Sequence, residues 1–247
     1  SAPWAPIPSP YSPAVAGTEG YFGTDGVANR GGGSGGGHCE GPSPDLEVGV
    51  SGIGGSGIIV VAKTLHALVH LQKQFYDRIT LRRYRALVWG DFDQDEGTIT
   101  GNIGRSLRNR KVMDVFPEGD EYGRHAVTHY TVLERFGYVT LVECKLETGR
   151  THQIRAHFKH IGHPLFNDET YGGDKVLRGT TFSKYKQFVQ NCFRIMPRHA
   201  LHAKSLGFHH PNNNEWVHFD SDLPLDLAAV LNRWRNYTKQ RIQKVGE

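Results

Sequence analysis

Residues 146–173, LETGRTHQIRAHFKHIGHPLFNDETYGG, decide how this chain folds. An alternating run, YVTLVECKLE at 138–147, leads into the stretch and reads as a strand. Thr148-Gly149-Arg150-Thr151 then turns the chain, and Thr151 is placed to cap a helix that runs to about Ile161. Ile154, Phe158 and Ile161 recur at helical spacing and face a core, while Gly162 supplies the stop. Arg155 and Lys159 are one turn apart and share the opposite face. A strand that delivers a tight turn and a helix N-terminus leaves unpaired amides there, which favour an anion. The same geometry fixes the Arg155 guanidinium near the end of a sheet, where a carboxylate or a phosphate suits it.

Outward from that stretch, strands dominate. IIVVAK at 58–63 reads as a buried strand. Thr64 caps a helix to about Arg78 with a stripe of Leu65, Leu68, Val69, Leu71 and Phe75. RRYRALVWG at 82–90 is a strand, followed by acidic turns at 91–97. ITGNIGRSLRNRKVMDVF at 99–116 reads as a strand entering a basic loop. HAVTHYTVLERF at 125–136 pairs with YVTLVECKLE. ALHAKSLGFHHP at 200–211 and EWVHFDSDLP at 215–224 form a strand–turn–strand pair, and LDLAAVLNRWRNYTKQRIQK at 225–244 is a helix with a basic end. The expectation is an α+β domain around a mixed or mostly antiparallel sheet.

Residues 1–57 differ in kind. They hold 16 of the 30 glycines and 7 of the 12 prolines, with GGGSGGG at 31–37, and little apolar bulk to offset ordering entropy. The reading is a Gly/Pro-rich segment over 1–55 that is loop-like or disordered, then a folded domain over 56–247. Charge divides the same way. One Arg stands against five acids in the first 57 residues, whereas the rest of the chain carries 28 Lys/Arg and 20 Asp/Glu. A basic domain favours a polyanionic partner. No run of about 18 apolar residues crosses a membrane, and SAPWAPIPSPYSP has neither the basic start nor the apolar core of a secretory signal. Cys39, Cys144 and Cys192 are few and far apart, which suits reduced thiols in the cytoplasm.

Three further features bear on chemistry. Arg105, Arg108, Arg110 and Lys111 crowd one loop, as a track for an RNA backbone would. Tyr84, among Arg82, Arg83 and Arg85, is either a core tyrosine or a ring that stacks on an unpaired base. His157, His160 and His163 are spaced by threes, but Gly162 separates the last one and no Cys or carboxylate completes a zinc set, so no metal is expected.

Taken in order, SGIIVVAKT, QFYDR, RRYRALVWG, TGRTHQIR with its continuation to YGG, and RHALHAKSLGFHHP resemble the RluA-type RNA pseudouridine synthases over about residues 56–230. The resemblance implies a pseudouridine synthase catalytic domain: a long mixed sheet with flanking helices and a central RNA-binding cleft. It implies isomerisation of uridine in structured RNA, ribosomal RNA above all, with no cofactor; a monomer is the default expectation beside it. Tyr84 would stack on the target base, Arg155 would pair with the nucleophilic Asp, and Ile154 would line the uridine pocket. Arg150, His152 and Lys159 would join Arg105, Arg108, Arg110 and Lys111 in contacting RNA. The chain departs from the family in one place. Where the family carries H-R-(L/I)-D-x-x-T-S-G, this chain reads Gly49-Val50-Ser51-Gly52-Ile53-Gly54-Gly55-Ser56-Gly57, with Gly52 at the nucleophile's position. A non-catalytic RNA-binding protein on the same fold is the alternative that this departure raises.

Overall fold

The computed structural model describes residues 45–51 and 56–245. Nine strands form one sheet: β1 Leu46–Ser51, β2 Ser56–Ala62, β3 Leu81–Trp89, β4 Glu96–Arg105, β5 Met113–Phe116, β6 Arg124–Arg135, β7 Val139–Leu146, β8 Leu201–His209 and β9 Trp216–Asp220. Their order is β1-β2-β8-β3-β7-β6-β4-β5, with β9 set against β8. The pairing of β2 with β8 is parallel; the other pairings are antiparallel. This is the mostly antiparallel mixed sheet that the alternating runs foretell.

Four helices pack on it: α1 Leu65–Tyr76, α2 Gln153–His160, α3 Ser183–Ile195 and α4 Leu225–Val245. Strand β3 shows how the layers are arranged. Leu87 and Trp89 point into a core with Phe166, Phe193 and Trp234, beneath α3 and α4. Ala86 and Val88 point the other way, into a core with Ile154 and Phe158 of α2. A strand covered on both faces loses the polar alternation of a surface strand, hence the continuous ALVW. Tyr84 lies two residues before Ala86, so it belongs to the α2 side, and it packs against that core.

The structure departs from the sequence reading at four places. Leu46–Ser51 is a strand, so the ladder begins ahead of residue 56. β2 is only half-buried, since Ile59 and Val61 are each 48% exposed. Helix α3 has no counterpart in the sequence reading, although Tyr185, Val189, Cys192 and Phe193 form a buried stripe at helical spacing. In α1 Thr64 does cap, accepting from the Ala67 amide, but the buried residues are Ala67, Leu71 and Gln74. Leu65 and Val69 are exposed. At about 100° per residue, they lie nearly opposite Ala67 and Leu71 on the helix. Burial here follows the small Ala67, which lets the helix come close. It also follows Gln74, whose amide donates to the carbonyl of His209 and accepts from its N–H.

Candidate active site

The Thr-Gly-Arg-Thr turn is held by side chains. The Thr148 hydroxyl accepts from the Val127 amide at 2.9 Å and donates to Oε1 of Gln153 at 2.8 Å. That same oxygen accepts from the Arg150 amide at 2.9 Å. Nε2 of Gln153 donates to the Val127 carbonyl at 2.9 Å and to the Thr128 hydroxyl at 3.0 Å. Thr151 therefore has no capping role. The N-cap is His152, in the left-handed region at φ 54°, with no side-chain cap bond. A non-glycine residue there is strained, and the Gln153 network is what holds it. Six consecutive residues of α2, Gln153 to Phe158, are buried. Among them His157 pairs through Nδ1 with Thr128 at 2.9 Å, and burial pushes its pKa down to about 4. Thr128 then donates to a neutral imidazole.

Arg155 is the centre of the site. Its Nε and Nη2 donate to Oδ2 and Oδ1 of Asp168, both at 2.7 Å, in a bidentate pair whose acid is 1% exposed. The segment that brings Asp168 in is rigidly built. Asn167 sits at φ 58° and donates its side-chain amide to the Met196 carbonyl at 2.7 Å. Gly173 donates to the Asp168 carbonyl at 2.7 Å and accepts from the Trp89 indole at 2.8 Å. A Cβ on Gly173 would lie 1.8 Å from the Leu165 carbonyl oxygen, so no other residue fits there. Tyr171 completes the group. Its backbone N–H donates to Oδ1 of Asp168 at 3.2 Å, and the Arg155 guanidinium lies 4.7 Å from its ring centre.

Arg155 and Asp168 border an open pocket of about 490 Å³, together with Phe193, Arg194, Arg198 and His199. Arg198 is anchored by two bonds to Asp226, at 2.8 and 2.9 Å. Burial, then the nearby Arg155 charge, lowers the pKa of His199 to about 4 and that of His152 below its usual value. Both imidazoles are neutral at pH 7, leaving the arginines as the positive charge of this end of the sheet.

Tyr84 stands on the α2 side of β3, at a bulge in the pairing with β8. Burial raises its pKa, so the phenol keeps its proton. The register ties Tyr84 to the place where the family carries its nucleophile. Ser51 pairs with Gly57, Gly57 with Ala203, and Ala203 with Tyr84. The row crosses four strands at about 4.8 Å each, so Gly57 lies roughly 10 Å and Ser51 roughly 14 Å from Tyr84. Gly52 itself lies outside the described residues. The acids nearest in sequence do not reach this row. The Asp45 carbonyl accepts from the Lys63 amide and Glu47 pairs with Val61, toward the far end of the hairpin from Ser51.

The remaining RNA-facing candidates divide. Arg108, Arg110 and Lys111 are exposed and form no ion pair among the described residues, in a loop braced by bonds from the Arg108 and Asn109 amides to the Ser106 hydroxyl. Arg105 turns back to donate to the Arg110 carbonyl at 3.0 Å. Arg150 donates to the His125 carbonyl at 3.0 Å, which ties the turn to β6. Lys159 is 3.9 Å from Asp114 and shares the Tyr171 ring with Arg155, as the one-turn spacing implies. The histidine triplet does not converge: His157 is in the core, His160 is exposed, and His163 donates to the Trp89 carbonyl. Among the described residues no group could hold a metal ion.

Sequence reading identified Arg155 and left its actual partner out. Asp168, Tyr171, Gln153 and His199 were all missed. The first three stand within the opening stretch, where an acid and an aromatic after a Pro-Leu-Phe-Asn turn are the available signal.

Residues 52–160 match the family model described as RNA pseudouridylate synthase. An uncharacterized RNA pseudouridine synthase of Chlorobaculum parvum is 46% identical over 180 residues, which is 73% of this chain and 55% of that protein. Ribosomal large subunit pseudouridine synthase D of Nitrosomonas europaea is 39% identical over 189 residues, 76% of this chain and 51% of that protein. The chain thus spans about half the length of these relatives. The solved structure of human RNA pseudouridylate synthase domain containing 1 is 28% identical, with a TM-score of 0.54 over 76% of this chain and 74% of that one. With its motifs in order and its fold shared, the chain is similar to the RluA-type RNA pseudouridine synthases over about three quarters of its length.

Proposed function

We propose that this domain isomerises uridine to pseudouridine in structured RNA, ribosomal RNA being the class that the name of its Nitrosomonas relative points to. The observation that carries the reading is the Arg155 guanidinium, clamped by Asp168 at the border of an open pocket of about 490 Å³. A pre-set cation of this kind orients an anionic group without reorganising during the reaction. Beyond that cation the reaction needs a carboxylate nucleophile and a path for the proton that leaves C5 while N1 takes one up. The target uridine leaves the stack, and its C1′–N1 bond breaks. The uracil turns, C5 bonds to C1′, and the C5 proton is lost. Tyr84 holds the flipped base with its protonated phenol near the reacting carbon, and Ile154 lines the uridine's place from the core that Tyr84 packs against, on the α2 side of the sheet; neither residue lines the 490 Å³ pocket. Arg105, Arg108, Arg110, Lys111, Arg150, His152 and Lys159 guide the backbone. No cofactor or metal takes part, and the protein works as a cytoplasmic monomer. No described helix is long and apolar enough to cross a membrane.

The covalent step calls for a carboxylate. Asp168 gives both its oxygens to Arg155 and is 1% exposed, so its place is to hold the guanidinium. Between Ser51 and Ser56 the chain reads Gly-Ile-Gly-Gly, without an acid. That observation favours a second reading, an RNA-binding protein that does not turn over. Tritium release from RNA carrying [5-³H]uridine decides between them. Turnover predicts release that Tyr84→Phe lowers by about 100-fold. No release by the unaltered protein, with RNA still bound in a salt-dependent way, leaves the second reading standing.

A further inference from the structure

Tyr171 touches Met113, His152, Arg155, Lys159 and Asp168 at once. It is 3% exposed. Its hydroxyl accepts from the backbone N–H of Met113 at 2.9 Å, the first residue of β5 after the basic loop. The same hydroxyl meets Nδ1 of His152 at 3.1 Å. Burial raises the tyrosine's pKa, and burial lowers that of the histidine. The pair is therefore a neutral phenol donating to a neutral imidazole, with the phenol's lone pair taking the Met113 amide. Below the hydroxyl, the ring carries the Arg155 guanidinium at 4.7 Å and the Lys159 ammonium at 5.7 Å. At its base, the backbone N–H holds the Asp168 oxygen that also receives Nη2 of Arg155.

We propose that Tyr171 is a positioning residue that couples the basic loop over residues 105–111 to the Arg155–Asp168 pair, so that the loop is registered for RNA by the same side chain that sets the guanidinium. The proposal rests on the RNA-binding reading above. The loop is closed at its base by the Ser106 amide on the Val112 carbonyl at 3.0 Å, by the pairing of Arg105 with Met113, and by Val112 in the core. Its outer bonds, to Ser106 and from Arg105 to Arg110, are internal. The Met113 bond ties the loop's exit to Tyr171, whose hydroxyl also meets His152 at the start of α2. Removing the hydroxyl leaves the ring under Arg155 and loosens that tie.

The test is a double-mutant cycle on RNA affinity, using a stem-loop RNA, with Tyr171→Phe, the triple variant Arg108→Ala/Arg110→Ala/Lys111→Ala, and the two combined. Tyr171→Phe is expected to raise Kd about tenfold and to lower the slope of log K against log salt by more than one. In the loop-neutralised background it is expected to change Kd less than twofold. A tenfold loss in both backgrounds, or an unchanged salt slope, overturns the coupling while RNA binding by the unaltered protein stands. Failure of the unaltered protein to bind RNA removes the functional reading, and the proposal with it. Amide exchange on the unaltered protein gives an independent check. The Met113 N–H should exchange far more slowly than those of Leu107 and Arg110, and equal rates would show that the tie does not exist in solution.

Discussion

Helices α1 and α2 invite opposite expectations, and the structure reverses both. α1 carries Leu65, Leu68, Val69, Leu71 and Phe75, yet among these only Leu71 is buried. α2 carries Gln153, Arg155 and His157, and all three are buried. Apolar content thus did not decide which helix enters the interior. What lets α2 go in is that most of its buried polar groups find partners, although Nε2 of His157 has none. Gln153 makes four hydrogen bonds, Arg155 a bidentate pair, and His157 one bond to Thr128. α1 rests on the sheet through Ala67, Leu71 and Gln74 and leaves its bulk in solvent.

The largest expected effect tests whether α2 depends on that pairing. Asp168→Asn leaves a buried guanidinium without its counter-charge, at a cost of about 3–5 kcal/mol. The loss is measured as a lower midpoint of urea unfolding at unchanged slope. Replacing both partners, as in Arg155→Met with Asp168→Leu, recovers most of the stability, because the orphan charge is gone. A double variant as unstable as Asp168→Asn would show that the pair contributes something beyond mutual satisfaction. Neither variant should retain tritium release.

His157 gives the next effect, through pH. Burial holds its folded pKa at about 4 against the ordinary 6.5 of a free imidazole. The folded state therefore binds its proton later than the unfolded chain does as pH falls. Its contribution is whole above pH 6.5 and drains away as pH drops toward about 4. The loss reaches roughly 3 kcal/mol below that. His152 and His199 titrate in the same sense, so the measurement is a difference. His157→Asn, which keeps an acceptor where Nδ1 stands, should flatten the fall in unfolding free energy between pH 6.5 and 4 relative to the unaltered protein. Identical slopes would mean that His157 is not held neutral.

The sheet was legible because it is built from local signals. Alternation at 125–136 and 138–147 foretold β6 against β7, and Thr64 marked the start of α1. β3 was legible as a strand, while the two-sided burial that makes it central became visible only once α2, α3 and α4 were in place. The site was legible in one half. Arg155 follows from the turn and the helix spacing, but its partner stands 13 residues on, across a turn whose path depends on Asn167 in a left-handed conformation and on Gly173 against Leu165. Nothing in spacing alone sends Asp168 inward rather than Glu169 or Asp174. Thr151 was misread as a cap because the Gln153 amide it would have served donates to the Arg150 carbonyl instead, and the helix starts one residue later, after His152.

The smallest effect is the one that separates the two helices most cleanly. If α1 contributes through Ala67, Leu71 and Gln74 alone, then Val69→Ser, on a residue 58% exposed, should change the unfolding free energy by less than about 0.5 kcal/mol. Leu71→Ala, at 5% exposure and nearly opposite Val69 on the helix, should cost about 2–4 kcal/mol in the same assay. The two substitutions remove similar apolar bulk from one helix, so helix propensity and hydrophobicity do not distinguish them; burial does. A loss above about 1 kcal/mol for Val69→Ser would mean that the apolar side of α1 is covered in solution, and the contrast with α2 would then rest on chain packing rather than on satisfied polar groups.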